Sequence, residues 1–340
     1  MDSKLLFTKF LNLFHCNNKN YDLKTAKSLC FLGYGYRIGD LLTASFIFRE
    51  IKKSVPDIIV TVAVEPQYME FVSSNKYVDK IEELPTKSFS LFRFLRKNKF
   101  DVIINLPWDR YSKISMLFYR LSQSKAFIFE KFKYDYEFVN FPLVWEKNEH
   151  ITQLLTKVVN LFGNKFVDID YELSLPEKYN KLSFDFINKD FDDKKILLLN
   201  PEAFDNTRSL SDKKINDIAD KILNEYKKIK IVLLSYKRQY NFISNKDVIV
   251  YKTTNIFDSA YLIKNVDFVL TVDTAIVHIA DFYKKKMIVL YSDDKFSIEN
   301  NFVRFCSINP NTIHIKAEED KTLNEIDVDI IVSALKNIIN

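Results

Sequence analysis

Three short stretches hold the residue types that could do chemistry. The first is Gly33-Tyr34-Gly35-Tyr36-Arg37-Ile38-Gly39-Asp40, where three of the chain's four glycines stand within seven residues. A chain that otherwise avoids glycine places it where a turn or a close backbone approach demands it. The second is Asp273-Thr274-Ala275-Ile276-Val277-His278, which follows an apolar run. Asp273 or Thr274 can cap a helix there while the amides that follow bind a phosphate, with His278 one turn further on the same side. The third is the polar loop Asn200-Pro201-Glu202-Ala203-Phe204-Asp205-Asn206-Thr207-Arg208, whose arginine could pair bidentately with a diphosphate. Each has a plainer alternative: an N-cap aspartate, a capped helix with a packed histidine, a solvated loop arginine.

For the glycine stretch, a dinucleotide site is the first candidate, with Glu65 ending the second strand where a ribose partner would stand. Two features oppose it. Tyr34, Tyr36 and Arg37 are bulky where backbone must approach a phosphate, and Asp40 puts a carboxylate where a helix start would receive an anion. The second candidate makes Asp40 a general base at the mouth of a cleft, beside Arg37.

The elements that must position these residues alternate. Buried strands are expected at 28–32, 58–64, 80–84, 102–106 and 126–129, with helices at 41–53, 68–73, 89–97, 112–121 and 150–162, the last closed by Gly163. Residues 164–194 read as a connection. A second series follows, with strands at 196–199, 229–235, 248–251, 268–272 and 287–291 and helices at 212–227, 257–265, 274–283 and 327–339. Alternation of this kind predicts an α/β protein with two successive parallel sheets and a cleft facing the C-terminal ends of their strands. A length of 340 residues also suits two domains, expected at 1–165 and 166–325, with residues 326–340 as a helix that is a candidate to cross back to the first.

Charge is uneven. Residues 1–150 hold 23 Lys and Arg against 17 Asp and Glu, and residues 87–133 hold 11 against three. The first half therefore looks towards an anionic partner. Charge alone does not make a nucleic-acid binder, and no such motif is present. Cys16, Cys30 and Cys306 are an odd set without metal-like spacing, which fits a reducing compartment, and no metal site is readable. An amphipathic helix is expected over residues 5–14, docked on the protein or resting on a membrane surface, because Lys4, Lys9 and Asn12 interrupt the apolar run.

Arg37-Ile38-Gly39-Asp40-Leu41-Leu42-Thr43-Ala44 followed by Pro56, together with Asp267 to Ala280 containing Asp273-Thr274-Ala275 and His278, resembles the two signature segments of glycosyltransferase family 9, the heptosyltransferases of the lipopolysaccharide inner core. The resemblance extends thinly from about residue 29 to 291. It implies the GT-B fold, two Rossmann-like domains facing a cleft, the first binding acceptor and the second a nucleotide-sugar donor. It also implies inversion at the anomeric carbon with no metal and no cofactor beyond the co-substrate, expected to be ADP-heptose. On matching positions, Asp40 becomes the base, with Tyr36, Arg37, Gly39 and Thr43 as acceptor contacts. Asp273, Thr274, Ala275 and His278 become donor contacts with Asn206 and Thr207, and Arg208 the cation that offsets the leaving diphosphate. The partners implied are the donor, an anionic glycolipid or glycan acceptor and the inner face of the inner membrane, hence a cytoplasmic, peripheral location; nucleic acid is not among them. The chain departs from the family at Ala275, usually glycine, and at Tyr291-Ser292-Asp293-Asp294, where a glycine-bearing loop is usual. Two alternatives stay open: an NAD(P)-dependent oxidoreductase, and an inert sugar-nucleotide or glycan binder on the same fold. Asp168 and Asp170, like Asp293 and Asp294, are read as solvated loop carboxylates.

Overall fold

The computed structural model describes residues 20–106, 113–130, 139–146, 148–180, 185–187, 191, 194–204, 208–241, 243, 245–293 and 301–339. The helix expected over residues 5–14, together with Cys16, lies outside them. Two compact units divide at Met1–Ser174 and Leu175–Asn340.

In the first unit, β1 (Ser28–Leu32), β2 (Ile59–Val64), β3 (Lys80–Glu83), β4 (Val102–Asn105), β5 (Ala126–Glu130) and β6 (Phe141–Leu143) form one sheet in the order β3-β2-β1-β4-β5-β6. Its ladders are parallel, with Leu29 beside both Val60 and Val102. Strands buried on both faces are mostly apolar, and β1, β2 and β4 are apolar but for Ser28, Thr61 and Asn105. The intervening helices are α1 (Ile38–Thr43), α2 (Phe46–Ser54), α3 (Met69–Ser73), α4 (Ser88–Asn98), α5 (Lys113–Leu121) and α6 (Ile151–Leu161). α4 and α5 pack on each other, and with the sheet they enclose Leu91, Leu95, Met116, Tyr119 and Phe129.

The second unit repeats the plan. β7 (Lys195–Asn200), α7 (Asp212–Glu225), β8 (Ile229–Ser235), β9 (Val248–Lys252), α8 (Ile256–Asn265), β10 (Phe268–Val272), α9 (Ala275–Phe282), β11 (Lys286–Tyr291), α10 (Asn301–Phe305), β12 (Thr312–Lys316) and α11 (Val328–Ile339) follow in order. The sheet runs β12-β11-β10-β7-β8-β9, the first sheet's order with each strand replaced by its counterpart. α11 packs on α7 and β11 of its own unit, with Ile331, Val332, Leu335 and Ile338 in that core.

In both sheets the connection reverses direction beside the first strand, between β1 and β4 and between β7 and β10. Loops leaving the carboxyl ends of such strands are where open α/β sheets bind ligands. The glycine stretch leaves β1, the polar loop leaves β7 and Asp273 leaves β10, so all three chemistry-bearing stretches fall on these reversal points.

Several elements differ from expectation. The helix expected at 41–53 is broken into α1 and α2, because Ser45 donates its hydroxyl to the Leu42 carbonyl and accepts from the Glu172 amide. β6 and β12 are sheet edges that the sequence reading passed over; β6 is three residues long with Pro142 at its centre. Nor is the start of the connection loose. Arg49, 7% exposed, donates to the backbone carbonyls of Asp168 and Asp170 and pairs with Glu172 and Glu50. Burial alone would raise the Glu50 carboxyl, but Lys53 and Arg49 hold it below the ordinary carboxylate range. The Asp168 carboxylate, 3.4 Å from Arg49, thus belongs to a pin that fastens residues 168–172 to α2.

Candidate active site

The turn after β1 is built by glycine for two separate reasons. A Cβ at Gly33 would stand 2.8 Å from Val64 Cγ1 and 3.3 Å from the Ala63 carbonyl oxygen, so this glycine lets the chain pass against β2. Gly35 has φ +71°, a left-handed conformation that glycine alone adopts without cost. The backbone then enters α1, and the Arg37 amide donates to Asp40 Oδ2 at 2.8 Å. Asp40 therefore stands in the first turn of the helix rather than at its N-cap, half-buried, with one carboxylate oxygen engaged by the backbone. Carboxylates in the first helical turn complement the positive helix end, which stabilises the ionised form that a base requires.

Two of the residues expected as acceptor contacts are buried in the first unit. Tyr36 is 3% exposed, its ring edge-on to Phe31 at 5.3 Å and its hydroxyl on the Leu106 carbonyl. Burial first, then the charge of Asp40, pushes its hydroxyl above the ordinary phenol range. Thr43 is 1% exposed and donates back to the Gly39 carbonyl at 2.9 Å. Both hold the turn on the sheet from beneath. Arg37 is exposed and Gly39 half-buried, so these two keep surface for a ligand.

In the second unit the polar atoms converge from two neighbouring strands. Thr274 caps α9 in an extended conformation, its Oγ1 accepting from the Ile276 amide at 3.3 Å. Asn200, the last residue of β7 and 4% exposed, donates to Thr274 Oγ1 at 3.1 Å and to Thr271 Oγ1 at 2.9 Å. Arg208 Nη1 lies 3.3 Å from Asp273 Oδ2. Burial pushes the Asp273 carboxyl above its ordinary value and Arg208 offsets part of that rise. The result is a helix start, capped by Thr274, with an arginine held beside it by a carboxylate, the kinds of group that can receive a phosphate anion. Ala275 opens α9 with an ordinary helical φ, so the side chain where the family usually has glycine costs no backbone strain. His278 is one turn further along α9 and 7% exposed, which confines any donor contact to a small edge of the residue. Asn206 and Thr207 lie outside the described residues.

Asn200 has no assigned role in the sequence pattern alone. Its signal was a polar side chain closing an otherwise apolar strand, Ile196-Leu197-Leu198-Leu199-Asn200. Glu202 was passed over in the same way. It accepts from the Tyr236 and Lys237 amides at 3.1 and 3.2 Å and from the Tyr240 hydroxyl at 2.8 Å, locking the loop after β8 to the loop after β7. Above that lock, Lys237 Nζ lies 5.5 Å from the ring centres of both Phe204 and Tyr236, which are 76% and 57% exposed. Asp293, in the loop that departs from the family pattern, pairs with Lys316 at 2.6 Å; Asp168 and Asp170 are exposed, as expected, and Asp294 lies outside the described residues.

Two α/β units with equivalent parallel sheets, each with a polar helix start at its reversal point, form the architecture that two-domain sugar transferases use. Solved structures share the fold. E. coli ADP-heptose lps heptosyltransferase II superimposes with a TM-score of 0.70 at 13% identity, over 92% of this chain and 98% of that one. A glycosyl transferase family 9 structure from Veillonella parvula gives 0.73 at 13%, over 94% and 99%. E. coli heptosyltransferase WaaC with ADP gives 0.65 at 12%, over 92% and 99%. In sequence, the chain is 22% identical to an Escherichia coli (strain K12) protein named "Putative lipopolysaccharide heptosyltransferase 4", covering 98% of this chain and 94% of the relative. The model of glycosyltransferase family 9 (heptosyltransferase) matches residues 88–324, and the chain belongs to that family. It is a glycosyltransferase.

Proposed function

We propose that the protein transfers a heptose from ADP-heptose to a hydroxyl of a lipopolysaccharide or lipooligosaccharide core, with inversion and without a metal ion. The first unit holds the acceptor and the second the donor. Asp40 takes the proton of the acceptor hydroxyl as its oxygen attacks the anomeric carbon. The bond from that carbon to the diphosphate breaks, and the nucleoside diphosphate leaves with its negative charge offset by Arg208 and the amides that start α9. Tyr236 and Phe204 offer flat faces to the nucleobase. A cytoplasmic site of action at the inner membrane surface follows from where such an acceptor is anchored. Among the described residues no helix is long and apolar enough to cross a membrane.

The observation that carries this reading is the placement of Asp40. Its carboxylate is fixed by the Arg37 amide at the reversal point of the first sheet, where it would repel a pyrophosphate and where a hydroxyl can meet it. This is also what disfavours a dinucleotide at the glycine turn. Asp40→Asn keeps an oxygen to accept from the Arg37 amide and removes the base. It should lower turnover by roughly 10³-fold, within the span of general-base effects, while ADP still raises the melting temperature. Turnover retained in that variant removes Asp40 from the mechanism. A thermal-shift panel of ADP, UDP, GDP, CDP and NAD(P) tests the nucleotide separately: a response to NAD(P) and to no nucleoside diphosphate favours the oxidoreductase.

A further inference from the structure

α4 carries two stripes at helical spacing, and the sheet uses only one. Leu91 and Leu95 face the core. On the opposite side stand Phe89, Phe92, Arg93 and Arg96, at i, i+3, i+4 and i+7. Phe89 is 62% exposed, and Arg93 and Arg96 are exposed too. Phe92 stacks on Phe118 of α5 with ring centres 5.0 Å apart, and Phe89 lies 6.3 and 6.5 Å from those two rings. The Arg93 guanidinium sits 5.5 Å from the Phe89 ring centre, and Leu121, 46% exposed, continues the apolar surface at the end of α5.

No acidic residue occurs in α4 or α5. Residues 85–125 hold nine Lys and Arg against two Asp, and one of these, Asp101, is bound to Lys125 and to the amides of Lys27 and Ser28. An exposed ring on a half-buried aromatic cluster, with the exposed Arg93 and Arg96 beside it, is the composition of a surface that rests at the headgroup level of an anionic bilayer. The rings enter the boundary between headgroups and acyl chains while the guanidinium groups meet lipid phosphates. A second copy of the chain would bring two basic faces together, which like-charge repulsion opposes.

We propose that the α4–α5 face docks the protein on an anionic lipid bilayer. The inference rests on the reading above only for why a bilayer is near; its residues are separate from Asp40, Arg208 and the start of α9. The face brings the first unit to a surface in which a glycolipid acceptor is embedded, and it replaces diffusion in three dimensions by search in two.

The test is co-sedimentation of the full chain with vesicles of phosphatidylcholine alone and of phosphatidylcholine with about 30 mol% phosphatidylglycerol, at low and raised salt. Binding to the anionic vesicles only, weakened by salt, is expected. Arg93→Gln with Arg96→Gln should lower the partition coefficient by about 30-fold, from about five-fold per charge at an anionic surface. Phe89→Ser should lower it by about tenfold through lost apolar burial, and Arg93→Lys with Arg96→Lys should retain it. The ADP thermal shift should be unchanged in all of these, so failure of donor binding and failure of docking are read separately. Equal partition of the Gln pair and the parent, equal binding to neutral vesicles, or self-association abolished by Phe89→Ser without vesicle binding would each overturn the proposal.

Discussion

Asp281 lies near the far end of α9 from Thr274, 8% exposed. Its Oδ1 accepts from the Ser307 hydroxyl, while Oδ2 is buried without a hydrogen-bond partner. Burial pushes this carboxyl up to about 7, against the lowering effect of the bonds from Ser307 and the Ile308 amide. An anion here also meets the negative end of the helix. In the unfolded chain the same group titrates near 3.9. The folded state therefore binds the proton more tightly, and stability falls as pH rises from about 4 to 7, then levels off. A shift of about three pH units corresponds to on the order of 4 kcal/mol, which water penetration and relaxation reduce to roughly 2–4 kcal/mol. Asp281→Asn keeps an oxygen for Ser307 and removes the charge. Above pH 7 it should raise stability by that amount, and below pH 4 it should match the parent. The assay is urea unfolding of both proteins from pH 4 to 8, with ADP binding measured at pH 8 as a check that the start of α9 is unmoved. A parent whose stability rises over that window relative to the variant would refute the reasoning, because it would mean that the carboxylate gains a partner on ionisation.

Arg208→Gln removes the cation beside the diphosphate and leaves Asp273 uncompensated, so kcat/KM should fall by roughly 10²–10³-fold; steady-state kinetics with Arg208→Lys for comparison would detect it, and parent-like kcat/KM would take Arg208 out of the site. Asn200→Ala loses two hydrogen bonds to Thr271 and Thr274. A cost of about 2 kcal/mol, or roughly 4–8 °C in melting temperature for a unit of this size, is expected. ADP affinity should weaken several-fold as Thr274 loses its orientation, and calorimetric titration showing parent-like affinity would make Asn200 structural only.

What the sequence disclosed depended on whether a residue acts alone or through neighbours. Central strands were legible because burial on both faces forces predominantly apolar, β-branched runs without charges, as in Ile59–Val64 and Phe268–Val272. Of the four edge strands, two were legible, at 80–84 and 248–251, and two were not: Phe141–Leu143 and Thr312–Lys316 pair on one side only, so no such run is imposed on them. The positions of Asp40, Asp273 and Thr274 were legible from helix-start chemistry. The burial of Tyr36 and Thr43 was not, since it follows from the turn folding back on β1 and from the i, i+4 bond to Gly39. Arg49 was invisible for the same reason, because its partners stand some 120 residues away, at Asp168, Asp170 and Glu172.

The two sheets have one strand order, so topology alone does not assign the acceptor and donor roles proposed for the two units. The difference lies in how each uses the helix start at its reversal point. In the first, the Arg37 amide is taken by the chain's own Asp40, and an incoming anion would meet a carboxylate as well as the positive helix end. In the second, Thr274 takes the Ile276 amide with its hydroxyl and the Val277 amide with its carbonyl, and the carboxylate nearby, Asp273, is paired with Arg208. One helix start is thus self-neutralised and suited to a hydroxyl, and the other is open to phosphate. Under the proposed function, the difference between the two units lies in charge placed within one helical turn of each sheet's reversal point.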